Sequence, residues 1–346
     1  MLLRGLLRAA GGLDRIGLLE ALARARRWLP RRSLVVLNYH RVLAAEPELD
    51  EGVVSATPQE FDDQMRLIAR VGTCISLSRL IRVLRGEAAL PDNAIMVTFD
   101  DGYADNFTAA LPALLRHGVR ATFFIATGFI ETGRLPWWDR ASYVIKRAQV
   151  SRLELSYPVR LSLPLTSAAD RRRARRTILR VIKQVQGTDL ERFLDRLQAA
   201  AGVSIDESAL ARGLFMTWDQ IAQIRDTGMD IGAHTHTHRV LQTLPEQEAR
   251  RELSLSAQIL TQRLGIVPRA IAYPVGFPLS PTSSLRRLLQ EAGYEVGFTF
   301  MPGFICPPPW GPPVDRFNLP RLSVDRSASH AGSRFKLALM APPCLL

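Results

Sequence analysis

The chain has 346 residues, 47% hydrophobic and 23% charged, the balance of a cored globular protein, so disorder and fibrous repeats are excluded. Its net charge of +12 rests on arginine: 42 of the 45 basic residues are Arg, the rest being Lys146, Lys183 and Lys336. No helix-turn-helix, RNP or zinc-finger pattern accompanies that charge, so no nucleic-acid partner is expected. No uncharged stretch long enough to span a bilayer is free of proline. Cys74, Cys306 and Cys344 are widely spaced without a CxxC, which fits neither a zinc finger nor a disulfide framework.

Residues 1–32 hold eight Arg against Asp14 and Glu20. Leu18, Leu22, Ala25 and Leu29 recur at helical spacing, with Arg24, Arg26 and Arg27 on the remaining arc, which predicts a basic amphipathic helix. Two readings stay open: a helix packed on the domain, or one lying on an anionic membrane surface. Arg4 and Arg8 break the early leucine run and no small-residue cleavage site follows. No cleavable signal peptide is recognised, and a location in the cytoplasm or at its membrane face is expected.

From residue 33 short β-rich runs alternate with helical patterns. Candidate strands are 33–39, 74–76, 94–99, 121–126, 229–233, 269–273 and 295–299; the helices read most clearly at 58–71, 105–117, 245–264 and 281–292. This alternation implies α/β architecture with a parallel sheet, closed into a barrel or doubly wound. Residues 131–215 interrupt it. They are Arg-rich, mostly helical by pattern and too long for an ordinary connection, so an insertion capping one face is expected. The expected organisation is a basic segment at 1–32, a barrel at 33–325 carrying the insertion, and a tail at 326–346.

In parallel α/β folds the carboxyl ends of the strands carry the reactive residues. The third candidate strand ends in Asp100-Asp101-Gly102-Tyr103. Adjacent strand residues point to opposite sides, but a turn opened by Gly102 can bring both carboxylates to one pocket; a helix cap with a solvated neighbour is the other reading. The fifth ends in His234-Thr235-His236-Thr237-His238. If the backbone turns helically here, His234 and His238 share a face and His236 points away; a surface histidine cluster is the alternative. Two His and one carboxylate are a common protein share of a hydrolytic metal's shell. Such a set suits zinc best, though cobalt or nickel fit the same ligands.

Thr98-Phe99-Asp100-Asp101-Gly102-Tyr103, then Gly232-Ala233-His234-Thr235-His236-Thr237-His238, then Ala272-Tyr273-Pro274-Val275-Gly276 together resemble the polysaccharide deacetylase superfamily, carbohydrate esterases that remove acetyl groups from glycans. The resemblance spans about residues 33–325, and its first two motifs stand about 130 residues apart. It implies a deformed (β/α)7 barrel, in agreement with the strands counted independently. It also implies a metal-dependent enzyme acting on the N-acetyl groups of N-acetylhexosamine glycans. By motif, Asp100 becomes the general base, Asp101, His234 and His238 the metal ligands, and the Tyr103 N–H an oxyanion donor. Tyr273 and Pro274 become glycan contacts.

Most members place the general acid, a histidine, late in the chain, where only His330 is available. His40 ends the first strand and so faces the same barrel mouth, which is similar to the circularly permuted poly-N-acetylglucosamine deacetylases; a histidine that merely caps the strand is the alternative. Ala272 and Tyr273 stand where the family usually carries the arginine that orients the base, and Arg321 is the candidate substitute, also taken as a substrate contact. No Asp-Trp pair is found to orient the catalytic histidine. Trp138, in Trp137-Trp138-Asp139, either stacks on a sugar or anchors the insertion. A sugar O-acetyl esterase and an inactive glycan-binding homologue are the rival functions; the intact Asp100, Asp101, His234 and His238 argue against the second.

Overall fold

The structure, a computed structural model, describes residues 32–44, 48–309 and 311–326. The expected N-terminal amphipathic helix, His330 and all but the first residue of the 326–346 tail lie outside the described residues.

The strands in chain order are β1 (Leu34–Tyr39), β2 (Arg41–Val42), β3 (Val54–Ala56), β4 (Thr73–Cys74), β5 (Ala94–Phe99), β6 (Ala121–Ile125), β7 (Arg152–Leu155), β8 (Leu161–Pro164), β9 (Asp230–Ala233), β10 (Ala270–Ala272), β11 (Val296–Phe298) and β12 (Leu322–Ser323). The main sheet runs β11-β10-β9-β6-β5-β1-β12, every pair parallel. All six residues of β1 and of β5 are buried, as strands covered on both faces require. Alternate residues part cleanly. Val36, Met96, Phe124, Ala272 and Phe298 share one cluster, while Leu37, Val97, Phe123 and Ile271 join Phe61, Ile221 and Leu253 of the surrounding helices in another.

The strand expected at 74–76 is reduced to a two-residue pairing of β4 with the start of β5, outside the main path. Ser76 ends it by capping a helix, accepting from Arg79 N–H. The place in the ring falls instead to β12. Residues 316–324 run between β11 and β1: Leu319 N–H donates to Gly297 O (2.9 Å), Thr299 N–H to Leu319 O (2.9 Å) and Val324 N–H to Asn38 O (2.9 Å). This segment closes the deformed (β/α) barrel.

Helices α1 (Pro58–Val71), α2 (Leu77–Leu84) and α3 (Leu111–His117) follow β3, β4 and β5, with a π-helical turn at Asn106–Ala110 leading into α3. A capping box between Thr57 and Glu60, with Pro58 in the first turn, starts α1 where its sequence pattern starts. Between β6 and β9 come α4 (Thr127–Thr132), α5 (Trp137–Arg147), α6 (Ala168–Gln184), α7 (Leu190–Ala201) and α8 (Glu207–Ala211). They share an apolar core of their own that includes Trp138, Ile145, Ile178, Phe193 and Leu197. This region is not purely helical, because β7 and β8 form an antiparallel hairpin in which Leu153 and Leu155 alternate inward with exposed Arg152 and Glu154. Helices α9 (Trp218–Asp226), α10 (Glu246–Leu264) and α11 (Leu285–Glu291) complete the outer layer. No helix among the described residues is long and apolar enough to cross a membrane.

Closure depends on a close approach at Gly297, where a Cβ would stand 1.9 Å from Tyr273 Oη. That hydroxyl donates to Phe317 O at 2.9 Å, pinning the closing segment. Gly297→Ala is expected to cost about 1–3 kcal/mol through overpacking, measured as a lower urea midpoint; an unchanged midpoint would show that closure does not depend on this contact.

Candidate active site

Asp100 follows the last residue of β5, and its N–H donates to Tyr39 O at 3.0 Å. Asp101 (φ 74°) and Gly102 (φ 91°) then take left-handed backbone, and Gly102 N–H bonds back to Asp100 O at 3.0 Å. This tight turn, which Gly102 permits at least cost, brings two buried carboxylates to one side. The solvated helix-cap arrangement is not found.

Arg321, immediately before β12 and fully buried, grips Asp100 with two parallel bonds, Nη1 to Oδ1 at 2.8 Å and Nη2 to Oδ2 at 2.9 Å. Its remaining donors reach Asn38 Oδ1 (2.6 Å) and Thr299 O (3.1 Å), and its plane lies 4.6 Å from the Phe300 ring centroid. Burial pushes the Asp100 carboxyl up, but the Arg321 charge and hydrogen bonds, together with His234 and His40, more than reverse this and hold it below its ordinary value.

The histidine loop after β9 is not helical. Thr235 (φ 61°) and His238 (φ 55°) are left-handed, and His238 N–H donates to Thr235 Oγ1 at 3.1 Å. Neighbouring elements hold this shape: Glu252 of α10 accepts from His236 N–H (2.9 Å) and Thr237 N–H (2.7 Å), while Gly128 N–H donates to His236 O at 2.7 Å. Position 128 has to be glycine for that approach, since a Cβ would sit 2.6 Å from the same oxygen. His236 turns away to Thr127 Oγ1 (3.0 Å).

His234 Nδ1 faces Ala272 O at 2.8 Å, so this nitrogen carries the hydrogen and Nε2 is left to face Asp101. Asp101 Oδ1 lies 3.4 Å from His234 Nε2 and 3.3 Å from His238 Nε2. The His238 ring is set by the insertion: Trp138 packs on it at 4.4 Å between centroids, and the Trp137 indole N–H donates to His238 O at 3.2 Å.

Asp101, His234 and His238 offer one ligand atom each, all within 4.8 Å of one another. The buried Asp101 Oδ1 has no hydrogen-bond partner. Burial pushes the His238 imidazole down to about 3, leaving it neutral; at Asp101 burial is outweighed by His234 above all, with the other histidines around it, which brings the carboxyl down to about 2 and leaves it ionised. These are the protonation states that ligation needs. At His234 the balance runs the other way, Asp100 and Asp101 outweighing burial to raise it, so the pocket attracts positive charge. The donor set therefore fits a small divalent cation of the hydrolytic type.

His40 stands at the end of β1, half-buried, its N–H donating to Ser55 Oγ (2.9 Å) and its C=O accepting from Asn106 Nδ2 (2.7 Å). Its ring packs on Phe300 at 5.7 Å and lies close enough for its charge to act on both Asp100 and Asp101. Tyr103 faces Phe215 across an isolated bridge that uses Ala104 N–H and Gly102 O and not the Tyr103 N–H. Its hydroxyl accepts from Trp138 Nε1 at 2.9 Å. Tyr273, Pro274, Arg321 and Trp138, expected to meet the glycan, are all buried, Arg321 holding Asp100 and Trp138 packing on His238. Sequence reasoning missed the buried Arg41–Asp105 pair (3.1 Å), Asn106, Asn38 and Glu252. Asp105, five residues past Asp100, was the one with a local signal. A cavity of about 940 Å³ beside α5 and α7 is lined by His236 and Trp137 but by none of the four clustered residues.

A family model described as polysaccharide deacetylase matches residues 87–158 and 167–297, more than half of the chain, and spans Asp100, Asp101, His234 and His238. No curated protein matches the sequence. Among solved structures, the chain is similar in fold to the Streptococcus pyogenes deacetylase PplD in complex with acetate (TM-score 0.58, 18% identity, covering 90% of this chain and 100% of that one). It is likewise similar to IcaB from Ammonifex degensii (TM-score 0.54, 18% identity, 88% and 97% covered). A third is a de-N-acetylase from Aggregatibacter actinomycetemcomitans (TM-score 0.53, 17% identity, 88% and 99% covered). The chain belongs to the polysaccharide deacetylase family, the hydrolases that deacetylate glycans.

Proposed function

We propose that the protein is a metal-dependent deacetylase that hydrolyses the N-acetyl groups of N-acetylhexosamine residues in a glycan. One observation carries the reading: a buried Asp101–His234–His238 triangle lies beside a second carboxylate, Asp100, that is clamped by Arg321 and so kept apart from the ligand set. A divalent cation held by Asp101, His234 and His238, zinc by preference, would supply Lewis-acid polarisation of the acetyl carbonyl and a more acidic water.

Asp100 takes the proton of the attacking water. Arg321 keeps it ionised and fixes its plane, so the base is ready at neutral pH. The Tyr103 N–H, held in place by the pairing of its neighbours, donates to the oxyanion as the carbonyl becomes tetrahedral. His40, at the same mouth, delivers a proton to the departing nitrogen. An amine leaves poorly without that proton, whereas an alcohol from an O-acetyl ester needs it less; the presence of His40 therefore favours the amide over the ester.

Asp101→Ala, His234→Ala and His238→Ala are each expected to lose stoichiometric metal by elemental analysis, since three protein ligands leave no redundancy. Full metal content in any of them would overturn the ligand set. Asp100→Asn leaves the buried Arg321 charge unanswered and is expected to lower the melting temperature. In the protein that stays folded it is expected to keep metal while acetate release from an N-acetylglucosamine oligomer falls about 10²–10⁴-fold; release near that of the wild type would remove Asp100 as base.

His40→Ala is expected to keep metal and lose most amide hydrolysis, and to lose much less against an activated acetyl ester whose leaving group needs no proton. His330→Ala is expected to be nearly silent. The reverse pattern would place the acid in the C-terminal segment.

A further inference from the structure

The net positive charge is not spread over the molecule. Residues 131–215 hold sixteen basic residues against nine acidic and residues 1–32 hold eight against two, while the remainder holds 21 against 22. The barrel is close to neutral. Most of its surface arginines are answered by carboxylates, as in Arg85–Glu295, Arg250–Glu291, Arg286–Asp315 and Arg287–Glu246. Those exposed without such an answer among the described residues are scattered: Arg70, Arg82 and Arg251 stand singly on three different helices, and Arg120 and Arg316 lie outside helices.

Helix α6 differs. Ala174, Ile178, Val181 and Ile182 bury one side of it against the insertion core. The arginines on its flanks are used by the fold: Arg171 donates to Ile145 O (2.8 Å) and Ala148 O (3.1 Å), and Arg175 pairs with the buried Asp50. Arg172, Arg173, Arg176 and Arg180 are exposed, and none has an ion-pair partner within 4.0 Å among the described residues. At 3.6 residues per turn these four fall within an arc of about 100°, opposite the buried side, along about 12 Å of helix. Like charges at this spacing repel one another, and all lie within about one or two screening lengths at physiological salt. Glu51 and Asp170 act on Arg172 and Arg173 only from beyond ion-pair distance, so an external anion would relieve the repulsion that remains.

We infer that the outer face of α6 is a docking surface for an anionic lipid bilayer. The helix is backed along its length by the insertion core, so its arginines form a row on its outward side. That row matches a plane of phosphates better than a nucleic-acid groove, which has to admit the body of a helix. Guanidinium groups pair with phosphate oxygens in a two-point fork, which suits lipid headgroups of this charge. The N-terminal segment is a second basic unit on the same chain, and two such units add on an extended surface where they would compete for a small ligand. Helix α5 lies between this face and the metal ligands, packing on α6 and placing Trp138 on His238. Docking through α6 would thus give the active site a fixed orientation to the membrane. The inference stands whatever reaction the site performs.

The test is co-sedimentation of the full chain with vesicles of phosphatidylcholine containing about one-third phosphatidylglycerol, against vesicles of phosphatidylcholine alone. Each arginine near an anionic surface is worth about fivefold in partition. The triple variant Arg172→Gln, Arg176→Gln, Arg180→Gln is therefore expected to bind the anionic vesicles on the order of 100-fold more weakly, with an unchanged melting temperature. The matching Arg→Lys triple is expected to stay within a few-fold of wild type. The inference is overturned if wild type shows no preference for anionic vesicles, or if the Gln triple binds as wild type does, which would assign the membrane to residues 1–32 alone. It is also overturned if duplex DNA at equal phosphate concentration strips the wild type from the vesicles, which would make the face a nucleic-acid surface.

Discussion

A buried guanidinium holds the centre of this protein together. Arg321 is the largest fully buried side chain among the described residues, and its charge is acceptable inside the barrel only because both fork nitrogens meet Asp100 while Asn38 and Thr299 take the remaining donors. Removing one partner of such a pair costs about 3–5 kcal/mol, because the other charge is then stranded. The partners come from β1, β5 and the segment between β11 and β12, so the pair forms only when the barrel has closed. Closure of the fold and pairing of the reactive carboxylate are one event.

Strain is concentrated around the same centre. Of the five non-glycine residues with positive φ among the described residues, four are Asp101, Thr235, His238 and Val275, in the three loops that meet at the site. Each such residue costs on the order of 1–3 kcal/mol and persists only where its surroundings dictate the conformation. Here they do. Glu252 ties down two successive N–H groups of the histidine loop, Gly128 lets α4 approach its carbonyl, and Trp137 bonds to the His238 oxygen. The left-handed turns aim side chains that regular helix or strand would send apart.

The insertion between β6 and β9 forms part of the site wall. Trp137 and Trp138 stand at right angles to one another and reach His238 and Tyr103, tying α5 to both sides of the reactive cluster. Asp139 is fully buried next to them; burial pushes its carboxyl up to about 7 although it accepts from Asp50 N–H at 2.7 Å. A titratable group is thus buried in the wall, whereas the outer side of the same insertion carries exposed arginines without ion-pair partners among the described residues.

The sequence by itself determined the local elements and the chemistry at their ends. Strands β1, β5, β6, β9, β10 and β11 were legible because buried parallel strands read as short apolar runs, and α1 was legible to the residue because Thr57, Pro58 and Glu60 announce its start. Paired aspartates and spaced histidines at strand ends marked the reactive cluster, since such residue types have little reason to follow an apolar run otherwise. Tertiary structure decided the rest. The two-residue β12 is too short to show a period, the histidine turn is shaped by Glu252 from another helix, and the burial that turns Trp138 and Tyr273 inward is a property of packing. Arg321 meets Asp100 across 221 residues of chain. Periodicity and capping act over a few residues, so they can be read along a chain; contacts made by closing a barrel couple residues with no shared local signal, and only the folded chain brings them into register.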